Sequence, residues 1–161
     1  MSAPLGPPSS NPRVPALEVP LRHAMRAQIR FSDLDPLGHV NNNALLALFD
    51  LAKIQYLEQI TQGQTTIQNI KAAVVNLNVD FYEPAYFTDN LHIYTTILRV
   101  GHRSFTIEQR AVCLRSGATK SRALTTLAGF DPATATPADI DPHIIALASA
   151  YEQRELISPT L

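Results

Sequence analysis

The chain has 161 residues, of which 45% are hydrophobic, 17% charged and 7% aromatic, a length that predicts one domain able to bury a core without staples. Thirteen Lys and Arg against 14 Asp and Glu leave a net charge of −1, which offers no basic face to a nucleic acid. The lone Cys113 excludes an intrachain disulfide and a multi-cysteine zinc site and suits a reducing, cytoplasmic compartment, and no apolar run approaches the roughly 20 residues of a membrane span.

Six of the twelve prolines fall among the first twenty residues, beside Ser9, Ser10 and Asn11. Proline supplies no amide donor and these neighbours bury little, so residues 1–20 are expected to form a disordered or extended arm. The arm lacks the basic start and apolar stretch of a targeting peptide. The folded domain is expected over residues 21–154, followed by a tail over 155–161.

From Met25 the chain alternates, with Met25, Ala27, Ile29 and Phe31 on one side, the period of a strand with one buried face. Turn formers follow from Ser32 to His39. Asn42 to Ile60 contains no proline or glycine, and Leu45, Leu48, Phe49, Ala52, Tyr56 and Ile60 recur at helical steps. Leu46, Leu51, Ile54 and Leu57 widen the apolar stripe, which predicts a helix largely enclosed by other structure. Asn41 to Asn43 can cap its start and Gly63 can end it.

Strand alternation returns at Val75, Leu77, Val79 and Phe81 and stops at Pro84. Asn90 to Val100 is rich in Ile, Thr and Tyr, and Gly101-His102 turns it into Ser104 to Arg115. The phase slips near Arg110, predicting a bulge or twist. Ser116-Gly117 turns the chain into a last strand over Ala118 to Phe130. Pro137 to Arg154 then reads as a second helix. The order predicts an α+β fold, an antiparallel sheet of five or six strands wrapped around a long helix.

The segment Asp33 to Asn42 carries the most chemistry. It places carboxylates immediately before a helix N-terminus, where unpaired N–H groups and a partial positive charge can stabilise an oxyanion. Asp35 could attack a carbonyl or activate water for the attack, while Asp and Asn in this position are also ordinary caps. Gly38 permits close backbone approach and Pro36 stiffens the turn.

The string Arg30-Phe31-Ser32-Asp33-Leu34-Asp35-Pro36-Leu37-Gly38-His39-Val40-Asn41-Asn42 resembles the signature of hotdog-fold acyl-CoA thioesterases of the 4-hydroxybenzoyl-CoA thioesterase-like group. Val79-Asp80-Phe81-Tyr82-Glu83-Pro84-Ala85 resembles that group's second strand and turn, and Phe49-Asp50-Leu51-Ala52-Lys53 its central helix. The resemblance spans about Leu21 to Phe130. It implies Asp35 as the catalytic carboxylate and backbone amides at Val40, Asn41 and Asn42 facing the thioester carbonyl. It further implies an acyl-CoA substrate entering between two subunits, a homodimer or a dimer of dimers (a homotetramer), and no metal or bound cofactor. Two departures bear on the substrate. Leu45 stands where the family commonly has an aromatic residue, and Lys53 stands where it often has arginine, losing the planar fork.

His39 is a candidate substrate contact, with turn stabilisation as its other role. Arg103 and Ser104 at the expected hairpin are candidate contacts for CoA phosphates. Asp50 pairs most simply with Lys53 at helical spacing. Cys113 reads as a buried filler, and His23, His92 and His143 show no ligand spacing. No Gly-x-Ser-x-Gly elbow or glycine-rich nucleotide motif is present. The reading is thioester hydrolysis by Asp35, against a non-catalytic acyl-binding module of the same fold or an interaction protein that docks through its arm. Aryl and aliphatic acyl groups, and CoA and a carrier protein, stay open as alternatives.

Overall fold

The computed structural model describes residues 9–64 and 67–156. Its elements are β1 (His23–Arg26), α1 (Asn42–Ile60), β2 (Ala72–Phe81), β3 (Leu91–Val100), β4 (Ser104–Cys113), β5 (Ala118–Asp131), β6 (Thr136–Pro137) and α2 (Pro142–Glu152). The sheet is antiparallel in the order β1-β3-β4-β5-β2, with β6 added to β5. One face of this sheet wraps α1, the layering expected from the sequence.

Helix α1 has the expected bounds. The Asn41 side chain accepts from the Asn43 amide, satisfying one orphan donor of the first turn. Leu45, Phe49, Ala52, Tyr56, Leu57 and Ile60 are buried against the sheet. The first half of the helix packs with Met25, Val40, Ala85 and Ile93, and the second half with Ile97, Phe105, Leu127 and α2. Gln109 on β4 donates to the Phe49 carbonyl at 2.8 Å, tying helix to sheet beneath the first of these clusters. Enclosure is one-sided, however. Leu51 is exposed and Leu46, Leu48 and Ile54 are only half-buried, because nothing among the described residues covers the outer side of α1.

Other expectations change as well. The first strand ends at Arg26, and Phe31 is 84% exposed, because residues 31–33 turn into a short 3-10 helix instead of continuing the pleat. Strand β2 lies at the sheet edge, so its apolar residues are uncovered; Val75 is 62% exposed and Leu77 and Phe81 are also open. Residues 9–20 lie across the outer face of the sheet, where Leu17 packs on Leu21, Tyr94 and Val112 and Arg110 donates to the Pro15 carbonyl at 2.8 Å. Residues 1–8 of the expected arm fall outside the described residues. Leu156, placed in the expected tail, is buried in the core beside α2.

The parity slip near Arg110 corresponds to a register shift between Ala111 and Val112, where Lys120 is the extra residue on β5. Because β1 has only four residues, β3 has no strand neighbour on that side beyond Thr95 among the described residues. The Tyr56 hydroxyl accepts from the Ile97 amide at 3.0 Å, and Arg154 donates to the Ile97 carbonyl, so side chains complete this edge. Among the described residues no helix is long and apolar enough to cross a membrane.

Candidate active site

The loop between β1 and α1 is built around two aspartates with different surroundings. Asp33 is buried, and its carboxylate accepts from the Arg30 amide at 2.7 Å and from the Arg30 guanidinium at 2.9 Å. Those hydrogen bonds hold its carboxyl below the usual carboxylate range. The Asp33 carbonyl accepts from the Asn41 amide at 2.7 Å, so Asp33 fixes both ends of the loop.

Asp35 occupies the turn inside that frame. Its Oδ1 accepts from the Leu37 amide at 2.9 Å and the His39 amide at 3.1 Å. Its own amide donates to the His39 carbonyl at 2.8 Å, and its carbonyl accepts from Gly38 at 3.0 Å. A backbone this tight needs Gly38 at φ +79°, in the left-handed region that glycine enters freely. One carboxylate oxygen is thus pinned by the backbone, and Oδ2 has no hydrogen-bond partner among the described residues.

The amides ahead of α1 divide in a way the sequence did not predict. Val40 donates to the Ala85 carbonyl at 2.7 Å, and Asn41 donates to Asp33, so neither is free to meet a substrate carbonyl. They are spent on closing the loop. The Asn43 amide is taken by the Asn41 side chain, while the amide of Asn42, an exposed residue and the first of α1, has no partner among the described residues.

His39 faces the Tyr86 ring edge-on at 5.3 Å and pairs with Tyr86 through the backbone. Tyr86 belongs to a segment fastened by Lys120, whose ammonium lies 2.9 Å from Glu83, 3.6 Å from Asp89 and 5.6 Å from the Tyr86 ring centre. Neither Tyr86 nor Lys120 stood out in the sequence; the parity slip that produces the Lys120 bulge was the one available signal. Leu45 is buried beneath the loop, beside Val40, Phe49 and Ala85.

Arg103 and Ser104 are not brought to this loop within the chain. They sit at the β3–β4 turn, whereas Asp35 follows β1 beyond the Leu91 end of β3. The ten residues of β3 separate the two ends by about 30 Å. Arg103 pairs with Asp139 at 3.0 Å. Asp50 pairs with Lys53 at 2.7 Å, and Cys113 is buried. Among the described residues no group of three or more His, Cys, Asp or Glu side chains is placed to hold a metal ion.

A helix start, a pinned carboxylate and a wrapped helix are the layout expected of a thioesterase, and the profile of the thioesterase-like superfamily matches residues 29–147. The chain belongs to that superfamily. As a member of it, the protein is a thioester hydrolase with the hotdog fold. The thioesterase from Thermus thermophilus, solved with coenzyme A and Zn, is 27% identical, with a TM-score of 0.70 over 81% of this chain and 94% of that one. A predicted thioesterase from Bacillus stearothermophilus is 20% identical with a TM-score of 0.71, covering 81% and 96% of the two chains. A 1,4-dihydroxy-2-naphthoyl-CoA thioesterase from Synechocystis is 22% identical with a TM-score of 0.67, covering 74% and 89%. No curated protein sequence matches the chain.

Proposed function

We propose that the protein hydrolyses an acyl-CoA to the free acid and CoA, with Asp35 as the catalytic carboxylate. The observation that carries this reading is the asymmetry of Asp35, whose Oδ1 is held by two amides while Oδ2 is unpartnered ahead of a helix N-terminus. Oδ2 either takes a proton from the attacking water or attacks the thioester carbon itself. With water as nucleophile, a C–O bond forms at the carbonyl carbon, the C–S bond breaks, and the proton taken up by Asp35 passes to the departing thiolate. With Asp35 as nucleophile, the same exchange gives a mixed anhydride and a thiolate. Water then hydrolyses the anhydride, releasing the free acid, restoring Asp35 and supplying the thiolate's proton. The free amide of Asn42, at the positive end of α1, is suited to the oxyanion. His39 orients the loop through its amide and its contact with Tyr86.

A second copy of the chain completes the proposed site. Phe31 and Leu37, on either side of Asp35, are 84% and 77% exposed, and the apolar edge of β2 is open. Large apolar side chains around a site and along a sheet edge favour pairing with another copy, a homodimer or a pair of dimers, with the substrate entering between subunits. Such pairing is also the route by which a partner's Arg103–Ser104 turn would reach the loop. The single buried Cys113 accords with a reducing compartment such as the cytoplasm.

Asp35→Asn tests the assignment cleanly, because the amide oxygen can still accept from Leu37 and His39. We expect a fall of about 100-fold or more in kcat on an acyl-CoA panel, with unchanged melting temperature. Full activity in the variant refutes the role of Asp35. Tight acyl-CoA binding without turnover by the wild type would mean an acyl-binding module. Single-turnover hydrolysis in H₂¹⁸O reports on the route: label in the Asp35 carboxylate shows that Asp35 attacks and that water opens the resulting anhydride at the Asp35 carbonyl. Trapping of an acyl-Asp35 anhydride with hydroxylamine detects the covalent route whichever carbonyl water attacks.

A further inference from the structure

Gln109 is a polar side chain in the core beneath α1. On β4 it stands between Ile107 and Ala111, which belong to different apolar clusters, so it lies at the seam between the two. It pairs across the sheet with Thr95 on β3, and both residues are buried. Its side-chain amide donates to the Phe49 carbonyl at 2.8 Å and to the Thr95 hydroxyl at 3.1 Å, which uses both amide hydrogens. A carbonyl inside a helix already accepts from the amide four residues on, so Phe49 spends its second lone pair on this contact. Burying an amide costs stability unless it is paired, and methionine would fill the same space without that demand.

The two halves of α1 are not held alike. Around the second half the buried members of the cluster are large, Ala148 excepted, and the Tyr56 hydroxyl ties the helix to the Ile97 amide at 3.0 Å. Around the first half, five of the eleven buried members are alanines: Ala27, Ala52, Ala85, Ala111 and Ala123. Alanines interdigitate little, and apolar contact has no direction of its own. A hydrogen bond does have direction. Gln109 thus gives the first half of α1 the directional tie that its packing lacks.

Phe49 lies midway between Asn42 and Tyr56, seven residues from each, or about 10 Å at the helical rise. With Tyr56 as pivot, a shift of the helix at Phe49 is doubled at Asn42. The turn that carries Asp35 does not follow rigidly, because it is fastened outside the helix, from Val40 to Ala85. A misplacement of about 1 Å can cost about 100-fold in rate, so a shift of about 0.5 Å at Phe49 would suffice.

We propose that Gln109 is a positioning residue for thioester hydrolysis: it holds the first half of α1, and with it the Asn42 amide, in register with the Asp35 loop. The inference rests on the reading of Asp35 as the catalytic carboxylate and Asn42 as the oxyanion donor. Gln109 acts from beneath the helix, through the Phe49 carbonyl.

Gln109→Met keeps the volume and removes the donor. On the acyl-CoA panel its kcat should fall about tenfold or more, with KM within about twofold of wild type and a melting temperature within about 4 °C. Gln109→Asn keeps a buried amide that is one methylene too short for Phe49, and should show the same split of kcat from KM. Thr95→Val removes the other partner and leaves the bond to Phe49, so its kcat should stay within about twofold of wild type. Wild-type kcat in either Gln109 variant, or an equal loss in Thr95→Val, overturns the proposal. A second readout needs no turnover. Amide hydrogen exchange over residues 45–52 should quicken about tenfold in Gln109→Met and stay unchanged over 56–60; wild-type exchange over 45–52 overturns the proposal. Asp35→Asn, measured alongside, separates the two readings. An inactive Asp35→Asn beside an unimpaired Gln109→Met overturns the role of Gln109 alone. A fully active Asp35→Asn beside a slow Gln109→Met removes Asp35 from the mechanism and leaves Gln109 holding the start of α1.

Discussion

The Val40 amide donates to the Ala85 carbonyl at 2.7 Å, which joins the Asp35 loop to a segment 45 residues further along the chain. That segment is fastened in turn by Lys120, between Glu83 and Asp89 and against Tyr86. Lys120→Met keeps the length of the side chain and removes its charge. The two carboxylates then lose their partner, at a cost of about 1–3 kcal/mol; this is below the loss for a fully buried pair because Glu83 is 39% exposed. Catalysis should suffer more than stability, with kcat falling about tenfold as the loop loses its backing. A variant that melts lower at unchanged kcat would show that the clamp serves stability alone.

Asp33 predicts a pH dependence. Its carboxyl is held below the ordinary value, first by the side-chain hydrogen bond from Arg30 and then by the Arg30 amide. A depressed carboxyl adds stability at pH values above its unfolded pKa of about 3.9 and loses it as the pH falls through the folded value. Asp33→Ala should therefore cost about 1–3 kcal/mol at pH 7 and little near pH 2. Melting temperatures of the two proteins between pH 2 and pH 7 check this. Parallel curves would mean that Arg30 contributes nothing through charge.

What could be read from the sequence was local. The bounds of α1 followed from the Asn41 cap and the absence of proline or glycine, and the bulge from a change of parity. Phe31 misled because it continues an alternating pattern, and the Arg30–Asp33 hydrogen bonds that break the pleat do not alter that pattern. The fates of the Val40 and Asn41 amides depend on Ala85 and on loop closure, neither of which spacing encodes. The uncovered edge of β2 could not be read either, since an apolar alternation looks the same beside a neighbour or without one. The prolines of the arm suggested missing donors, yet proline keeps its carbonyl, and the Pro15 carbonyl is the acceptor Arg110 uses.

Glu152 gives a pH dependence of opposite sign. Burial raises its carboxyl above the ordinary value, while hydrogen bonds from Tyr56 at 2.5 Å and Thr96 at 3.0 Å partly offset the rise. Arg154 and Arg22 also pull it down, and His23, edge-on to Tyr56, is held below its usual value by burial. A raised carboxyl contributes stability below its unfolded pKa of about 4.3 and loses it as the pH rises through the folded value. Glu152→Gln retains an oxygen acceptor for Tyr56 and Thr96 and carries no charge. Its melting temperature should gain on the wild type between pH 4.5 and pH 8; a constant difference would refute the assignment.

Removing residues 1–20 should destabilise the protein instead of merely freeing a docking arm. Glu108 is buried on the outer face of the sheet, accepting from Arg110 at 2.8 Å and Arg122 at 2.6 Å. Residues 9–20 cover that face. Pro15 and Ala16 offer carbonyls to Arg110, Arg13 lies 5.8 Å from the centre of the Tyr82 ring, and Leu17 shields Tyr94 and Val112. Losing the burial of Val14 and Leu17 costs about 2–4 kcal/mol. The uncovered charge cluster then meets water and screening ions, so the melting temperature of the truncated protein should also become more sensitive to salt. Equal melting temperatures, with equal salt dependence, would show that the segment adds nothing to the fold and leave partner docking as its use.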